Sequence, residues 1–169
     1  EYGSHIIGLF VNESLPYGMT RHKIADHIKK QEGVIIIPHP FKPDSGYFNY
    51  YKEDDFLDTV DCIEYINGGW NSKNYTSEII KIAEKYQMLM ISSSDSHKAC
   101  QVGLCATSLK LSQNFKAGEF KNILKNVSQS DLNLLMDSKL LDKKGRKIYK
   151  IQKTPPYQFI LSYIPKFFR

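Results

Sequence analysis

At 169 residues, with 41% hydrophobic and 24% charged residues, the chain has room for one domain with a proper core and reads as globular. Three cysteines, Cys62, Cys100 and Cys105, form an odd set without CxxC spacing, which argues against a disulfide framework and for a reducing, cytoplasmic compartment. No run approaches the roughly 18 apolar residues that a membrane span needs, and no signal peptide is visible.

The net charge of +5 is uneven: residues 52–64 are acidic, whereas Lys139 to Arg169 is basic. Such a tail suits polyanions or membrane surfaces, but a modest excess of lysine is more often solvated surface. The chain opens on Glu1 and not on Met, as a processed chain or a piece of a longer one would.

In chain order, Ile6 to Val11 is apolar apart from Gly8 and reads as a buried strand. A turn-rich stretch from Asn12 to Met19, with Pro16 and Gly18, leads to Thr20 as an N-cap. Arg21–Glu32 sets Ile24, Ala25 and Ile28 on one helical face, with Gly33 at the C-terminal cap. Val34–Ile37 is an unbroken β-branched run stopped by Pro38. Strand, helix and strand in about 35 residues have the form of a crossover unit with parallel strands.

The alternation continues. The acidic segment Lys52–Val60 reads as a helix, Asp61–Ile66 as a strand broken by Asn67-Gly68-Gly69, and Asn74–Tyr86 as an amphipathic helix. Met88–Ile91 and Val102–Leu109 read as strands and Lys116–Val127 as the last clear helix. This is an α/β pattern that fits a barrel or an open doubly wound sheet. Ser130–Leu141 is helix or irregular, and Thr154–Arg169, aromatic and lysine-rich, reads as an arm packed on the domain or a surface anchor.

Candidate ligands fall at strand ends, where α/β folds gather their functional residues. His39 follows Val34–Ile37 directly; Asp95 and His97 follow Met88–Ile91 in Ser94-Asp95-Ser96-His97. If the strand continues through that segment, alternation points Asp95 and His97 to one side, and a carboxylate with an imidazole is half a site for Zn²⁺, Mn²⁺ or Fe²⁺. Glu1 and His5 stand before the first strand, spaced for a tight hairpin. His22 and His27, on a helix among charges, read as surface.

The ordered set Glu1…His5-Ile6-Ile7-Gly8, Ile37-Pro38-His39-Pro40-Phe41, Asp61-Cys62-Ile63-Glu64-Tyr65-Ile66-Asn67-Gly68 and Ser94-Asp95-Ser96-His97 resembles the PHP (polymerase and histidinol phosphatase) family over residues 1 to about 127. The resemblance implies a distorted seven-stranded (β/α) barrel, with parallel strands, crossover helices and up to three divalent metals at the mouth of the strands. It implies Glu1, His5, His39, Asp95 and His97 as metal ligands. The family's opening HxH strand has no counterpart here, so the chain is expected to hold the C-terminal part of the barrel over 1–127, followed by a basic, aromatic extension over 128–169.

The activity so implied is hydrolysis of a phosphoric ester by metal-activated water, on a phosphorylated small molecule, nucleotide or nucleic acid. His39 or His97 would protonate the leaving oxygen when not held as a ligand. Lys42 and Lys98, beside those histidines, are candidates for the substrate phosphate, and Asn67 either contacts substrate or shapes its turn. The competing reading is a degenerate, non-catalytic module kept for binding or support; a metal hydrolase acting on C–N bonds is a third. The sequence leaves the oligomeric state open.

Overall fold

The structure, a computed structural model, describes residues 3–70, 72–110, 120–136 and 158–160. It is a mixed α/β arrangement with a mostly parallel four-stranded sheet. The strands are β1 (Ile7–Leu9), β2 (Val34–Ile37), β3 (Cys62–Asn67) and β4 (Leu89–Ser93), in the spatial order β1-β2-β3-β4. The helices α1 (Arg21–Lys30) and α2 (Thr76–Lys85) pack on one face of it. A second, antiparallel sheet is formed by β5 (Cys105–Lys110), β6 (Leu132–Met136) and β7 (Gln158–Ile160), with β5 in the middle; α3 (Phe120–Asn126) lies between β5 and β6 in the chain.

The β-branched run of β2 is buried throughout, as a strand covered on both faces must be. Ile35 and Ile37 point with Ile63 into the larger core beneath the helices, where Ala25, Ile28, Ile79 and Ile82 meet them. Val34 and Ile36 point the other way, towards Cys62 and Ile91. Tyr47, Phe56 and Leu57, from the segment between β2 and β3, are fully buried under the first group. The two sheets are joined at Thr107, whose hydroxyl accepts from the Ser92 amide at 2.7 Å and donates to the Ser92 carbonyl at 2.9 Å.

Several expectations are corrected. β1 runs antiparallel to β2, with Ile7 opposite Ile36, and not parallel as a simple crossover would. The cause is the turn-rich link from Phe10 to Thr20. Extended, that many residues reach about 3.5 Å each, enough to return the length of a short sheet before α1 begins. The helix expected over Lys52–Val60 is a short 3₁₀ turn at Asp55–Thr59, capped by Asp54. The left-handed residue after α1 is Glu32 at φ 55°, not Gly33. Gly33 is needed for space: a Cβ there would meet Ile28 at 2.6 Å and the Leu9 carbonyl at 2.8 Å.

The segment from Ser130 becomes strand β6 after a single 3₁₀ turn at Gln129–Asp131. A seven-stranded barrel is not established by these elements. Of the expected C-terminal arm, only 158–160 lie within the described residues, paired on β5. The first part of the helix expected over Lys116–Val127 lies outside them.

Ile63, the second residue of β3, is fully buried in the larger core. Ile63→Ala is expected to lower stability by about 2–5 kcal/mol. Denaturant unfolding would read this as a lower midpoint at unchanged slope, and Ile7→Ala, at a partly exposed edge position, should cost distinctly less.

Candidate metal centre

The parallel strands β2, β3 and β4 end together, and the antiparallel β1 begins at that same end. His5, just before β1, therefore meets His39, just after β2. The His5 Nδ1 and His39 Nε2 atoms are 3.3 Å apart, with ring centroids at 5.1 Å. The His5 amide donates to the Ser45 carbonyl at 3.1 Å, which ties the entry of β1 to the loop after β2.

His39 and Asp95 both carry positive φ, 30° and 43°, where residues with a Cβ are seldom found. Two strained positions, after β2 and after β4, need something to hold them, and for His39 that is Glu64 on the strand between. Glu64 is 2% exposed on β3. Its Oε2 accepts from the His39 backbone amide at 2.6 Å and from Asn67 Nδ2 at 2.7 Å, while its Oε1 accepts from the Ser93 hydroxyl. One carboxylate thus binds the ends of three strands.

A β-bulge makes the geometry possible. Glu64 pairs with Ile91 and Ile66 with Ser92, so Tyr65 is an extra residue on β3. Strict alternation would put Glu64 and Asn67, three apart, on opposite faces; the inserted residue brings them to the same side. Asn67 then accepts at Oδ1 from the Gly69 amide at 2.8 Å, so both ends of its amide shape the turn. The turn passes close to β4: a Cβ on Gly68 would lie 2.9 Å from the Ser94 carbonyl oxygen, and one on Gly69 would lie 2.9 Å from Asp95 Oδ2.

The strand does not continue through Asp95, because β4 stops at Ser93 and Asp95 turns left-handed. Simple alternation therefore does not set the relation of Asp95 to His97. Instead, His97 Nδ1 lies 2.8 Å from the Asp95 backbone oxygen and 3.9 Å from its carboxylate. Donating to that carbonyl puts the proton on Nδ1 and leaves Nε2 with its lone pair. The His97 amide, like that of exposed Lys98, donates to Gln101 Oε1. Lys42 reaches across from the β2 loop, its Nζ donating to Asp95 Oδ2 at 3.1 Å. Glu1 lies outside the described residues.

Burial dominates the electrostatics. It lowers the His39 pKa to about 4; Lys42 and His5 also lower it, against the raising pull of Asp95. His39 is therefore neutral at ordinary pH, the form that can ligate a metal. Burial pushes Glu64 up to about 7 against the lowering pull of Ser93, Asn67 and the His39 amide, with Asp95 adding to the rise.

The donor set of imidazoles and a carboxylate suits zinc, manganese or iron. Two nitrogens each about 2.05 Å from a tetrahedral zinc would be about 3.3 Å apart, which matches the His5–His39 separation. The donor types and the His5–His39 spacing suit a metal, but among the described residues Asp95 and His97 do not close a three-ligand group with that pair, and the Lys42 ammonium holds the Asp95 carboxylate. His39 Nδ1 is buried with no hydrogen-bond partner among the described residues, so nothing in that set fixes its tautomer.

A trio of possible ligands with atoms mutually within 4.8 Å occurs elsewhere among the described residues, at His22, Asp54 and Asp55. There Asp54 is already bound by Arg21, by the Tyr47 hydroxyl and by the Phe56 amide, and His22 and Asp55 form an exposed pair. Sequence reasoning singled out neither Glu64 nor Ser93; a glutamate in the otherwise apolar run Cys62–Ile66 was the available signal for the first.

Residues 75–127 match the PHP-associated family model. The chain thus carries a PHP-associated domain, consistent with the C-terminal part of a PHP-family protein. It is 29% identical over 128 residues to the uncharacterized protein MJ0417 of Methanocaldococcus jannaschii, covering 70% of this chain and 54% of that protein. A second uncharacterized protein of that organism, MJ1587, is 47% identical over 38 residues, 22% of each chain. The fold is similar to that of PsfC from Pseudomonas syringae PB-5123, with a TM-score of 0.58 at 16% identity over 80% of this chain and 55% of that one. The chain therefore spans about half the length of the proteins it resembles over most of its length.

Glu64 gives a pH test. A carboxyl raised from 4.5 to about 7 by folding binds its proton more tightly in the native state. Its contribution is most favourable below pH 4.5, is lost as pH rises from there to 7, and is flat above. The difference is roughly 3 kcal/mol. In metal-free buffer, Glu64→Gln should flatten this part of the stability profile, because Gln keeps an acceptor for His39 and Asn67 and the Ser93 hydroxyl can accept instead of donate. Glu64→Ala should destabilise at every pH.

Proposed function

We propose that this chain supplies the later ligands of a metal-dependent phosphoesterase centre, within the C-terminal part of a distorted seven-stranded (β/α) barrel. The observation that carries the reading is the His5–His39 pair at 3.3 Å, with Asp95 and His97 placed at the same end of the sheet, after the next-but-one strand. His5, His39, Asp95 and His97 would hold divalent metal, zinc, manganese or iron, with Glu1 completing the set.

Bound there, the metal would supply an activated water and a clamp for phosphate oxygens. His39 stays neutral through burial, and its position is held through the Glu64 tether. His97, with Nδ1–H on a carbonyl, presents the Nε2 lone pair to a metal ion. Lys42, freed from Asp95 when a metal takes that carboxylate, would turn to the substrate phosphate. Lys98, exposed beside His97, would add a second positive charge.

A reducing compartment such as the cytoplasm suits Cys62 and Cys105, which are free and buried. No helix among the described residues is long and apolar enough to cross a membrane.

One observation favours the second reading, a non-catalytic module: the Lys42–Asp95 ion pair already neutralises the carboxylate that a metal would use. Metal analysis and hydrolysis separate the two. Loaded with Mn²⁺ or Zn²⁺, the intact protein should cleave a phosphoester, and His39→Ala or Asp95→Ala should lower both metal content and rate, the rate by about 100-fold or more. No cleavage across a broad panel, with metal content unchanged in both variants, would leave the module reading in place.

A further inference from the structure

The ion pair between Lys42 and Asp95 joins a fixed root to a movable head. The Lys42 amide donates to the His39 carbonyl at 3.0 Å. Its own carbonyl accepts from the Ser45 amide at 3.2 Å, the Gly46 amide at 2.7 Å and the Asn49 side chain at 2.5 Å. Gly46 closes so tightly on this turn that a Cβ there would lie 2.7 Å from the Lys42 carbonyl oxygen. The backbone of Lys42 is therefore pinned, while its flexible four-carbon stem and hydrated ammonium can take more than one position. That side chain is 25% exposed, and its Nζ sits on Asp95 Oδ2 at 3.1 Å.

Asp95 is the more confined partner. Its side chain is 18% exposed, and Oδ2 lies against Gly69, where a Cβ would come within 2.9 Å of it. The other oxygen, Oδ1, is 3.9 Å from His97 Nδ1. Burial does most to lower the His39 pKa, but the Lys42 charge lowers it too, against the pull of Asp95, so the ammonium is felt at that imidazole. A divalent cation between His39 and Asp95 would meet the ammonium in a part-buried place where solvent screens charge poorly. The two cations compete for one carboxylate. With the ammonium in place, Asp95 closes no three-ligand group with the His5–His39 pair among the described residues. Leaving the carboxylate for water alone would lose the ammonium its charge-assisted bond, whereas an oxyanion replaces that bond.

We propose that Lys42 is a gate on Asp95 that an oxyanion opens: with the anion on Lys42 the carboxylate is released to a divalent cation, so cation and anion bind cooperatively. The cation half rests on the metal-centre reading above; the exchange of Lys42 between two anions does not. By linkage, each ligand tightens the other by the same factor. Any oxyanion that reaches Lys42 serves, sulfate included, so the coupling is independent of what the site turns over.

Calorimetric titration of the intact protein with Mn²⁺, in sulfate against chloride at equal ionic strength, tests the gate once free Mn²⁺ is corrected for its sulfate complex. Sulfate should tighten Mn²⁺ binding about 10-fold. Lys42→Met should bind Mn²⁺ about 10-fold tighter than the unsubstituted protein in chloride, and should gain nothing from sulfate. Lys98→Met, which removes an equal charge at an exposed neighbour of His97, should leave both the affinity and the sulfate effect nearly unchanged. A sulfate effect of equal size in Lys42→Met would put the anion on the metal and overturn the gate. Equal tightening by Lys98→Met would overturn it too, by reducing the effect to a general field. Mn²⁺ affinity unmoved by Lys42→Met but weakened by Asp95→Asn overturns the gate and leaves the metal reading standing. Affinity unmoved by both substitutions removes the metal reading and the gate with it. Full gate behaviour without hydrolysis of any phosphoester keeps the gate and removes the phosphoesterase reading.

Discussion

A buried carboxylate is costly unless its oxygens are satisfied, and Glu64 has donors from three strand ends. The rest of the site depends on that arrangement. The His39 amide is one donor, and without its hydrogen bond the left-handed backbone of His39 would have no evident restraint from β3. Asn67 is another, and its other end shapes the turn that brings Gly68 and Gly69 against Ser94 and Asp95. Ser93 is the third, the last residue of β4 before the chain bends into Asp95. Removing the carboxylate would leave several groups buried without partners, each costing about 1–3 kcal/mol.

The second constraint is topological. The long return from Phe10 to Thr20 reverses β1 and so carries its beginning, not its end, to the mouth of the parallel strands. His5 comes to His39 only because of this reversal. The same convergence crowds cations and imidazoles around Asp95, and Lys42 occupies its carboxylate. A metal at this point has to displace an ammonium already in place, so Lys42 is at once a competitor for the site and a ready partner for an anion brought to it.

Much of the framework was legible in the sequence because it rests on local patterns. Val34–Ile37 is a strand by β-branching, Thr76–Lys85 a helix by its apolar stripe, and Thr20 a cap by its hydroxyl. The placement of His39 and Asp95 at strand ends was legible for the same reason. What was hidden depended on register and on returns of the chain. The bulge at Tyr65 cannot be read from a sequence whose alternation is continuous apolar, and it alone sets Asn67 beside Glu64. The antiparallel β1 was hidden because a link between elements carries no mark of the direction in which it is crossed. The break in β4 before Asp95 was hidden in a run of serines that suits a strand as well as a turn.

The role of Glu64 can be measured directly by native-state hydrogen exchange at the His39 amide. That amide lies beyond the end of β2, in a loop, where free amides exchange fast. Held by the Glu64 carboxylate, it should exchange as slowly as the paired amides of β2 and β3, opening only with the global unfolding of the domain. Exchange at the rate of an unprotected loop amide, with β2 and β3 still protected, would contradict the tether and with it the placement of His39.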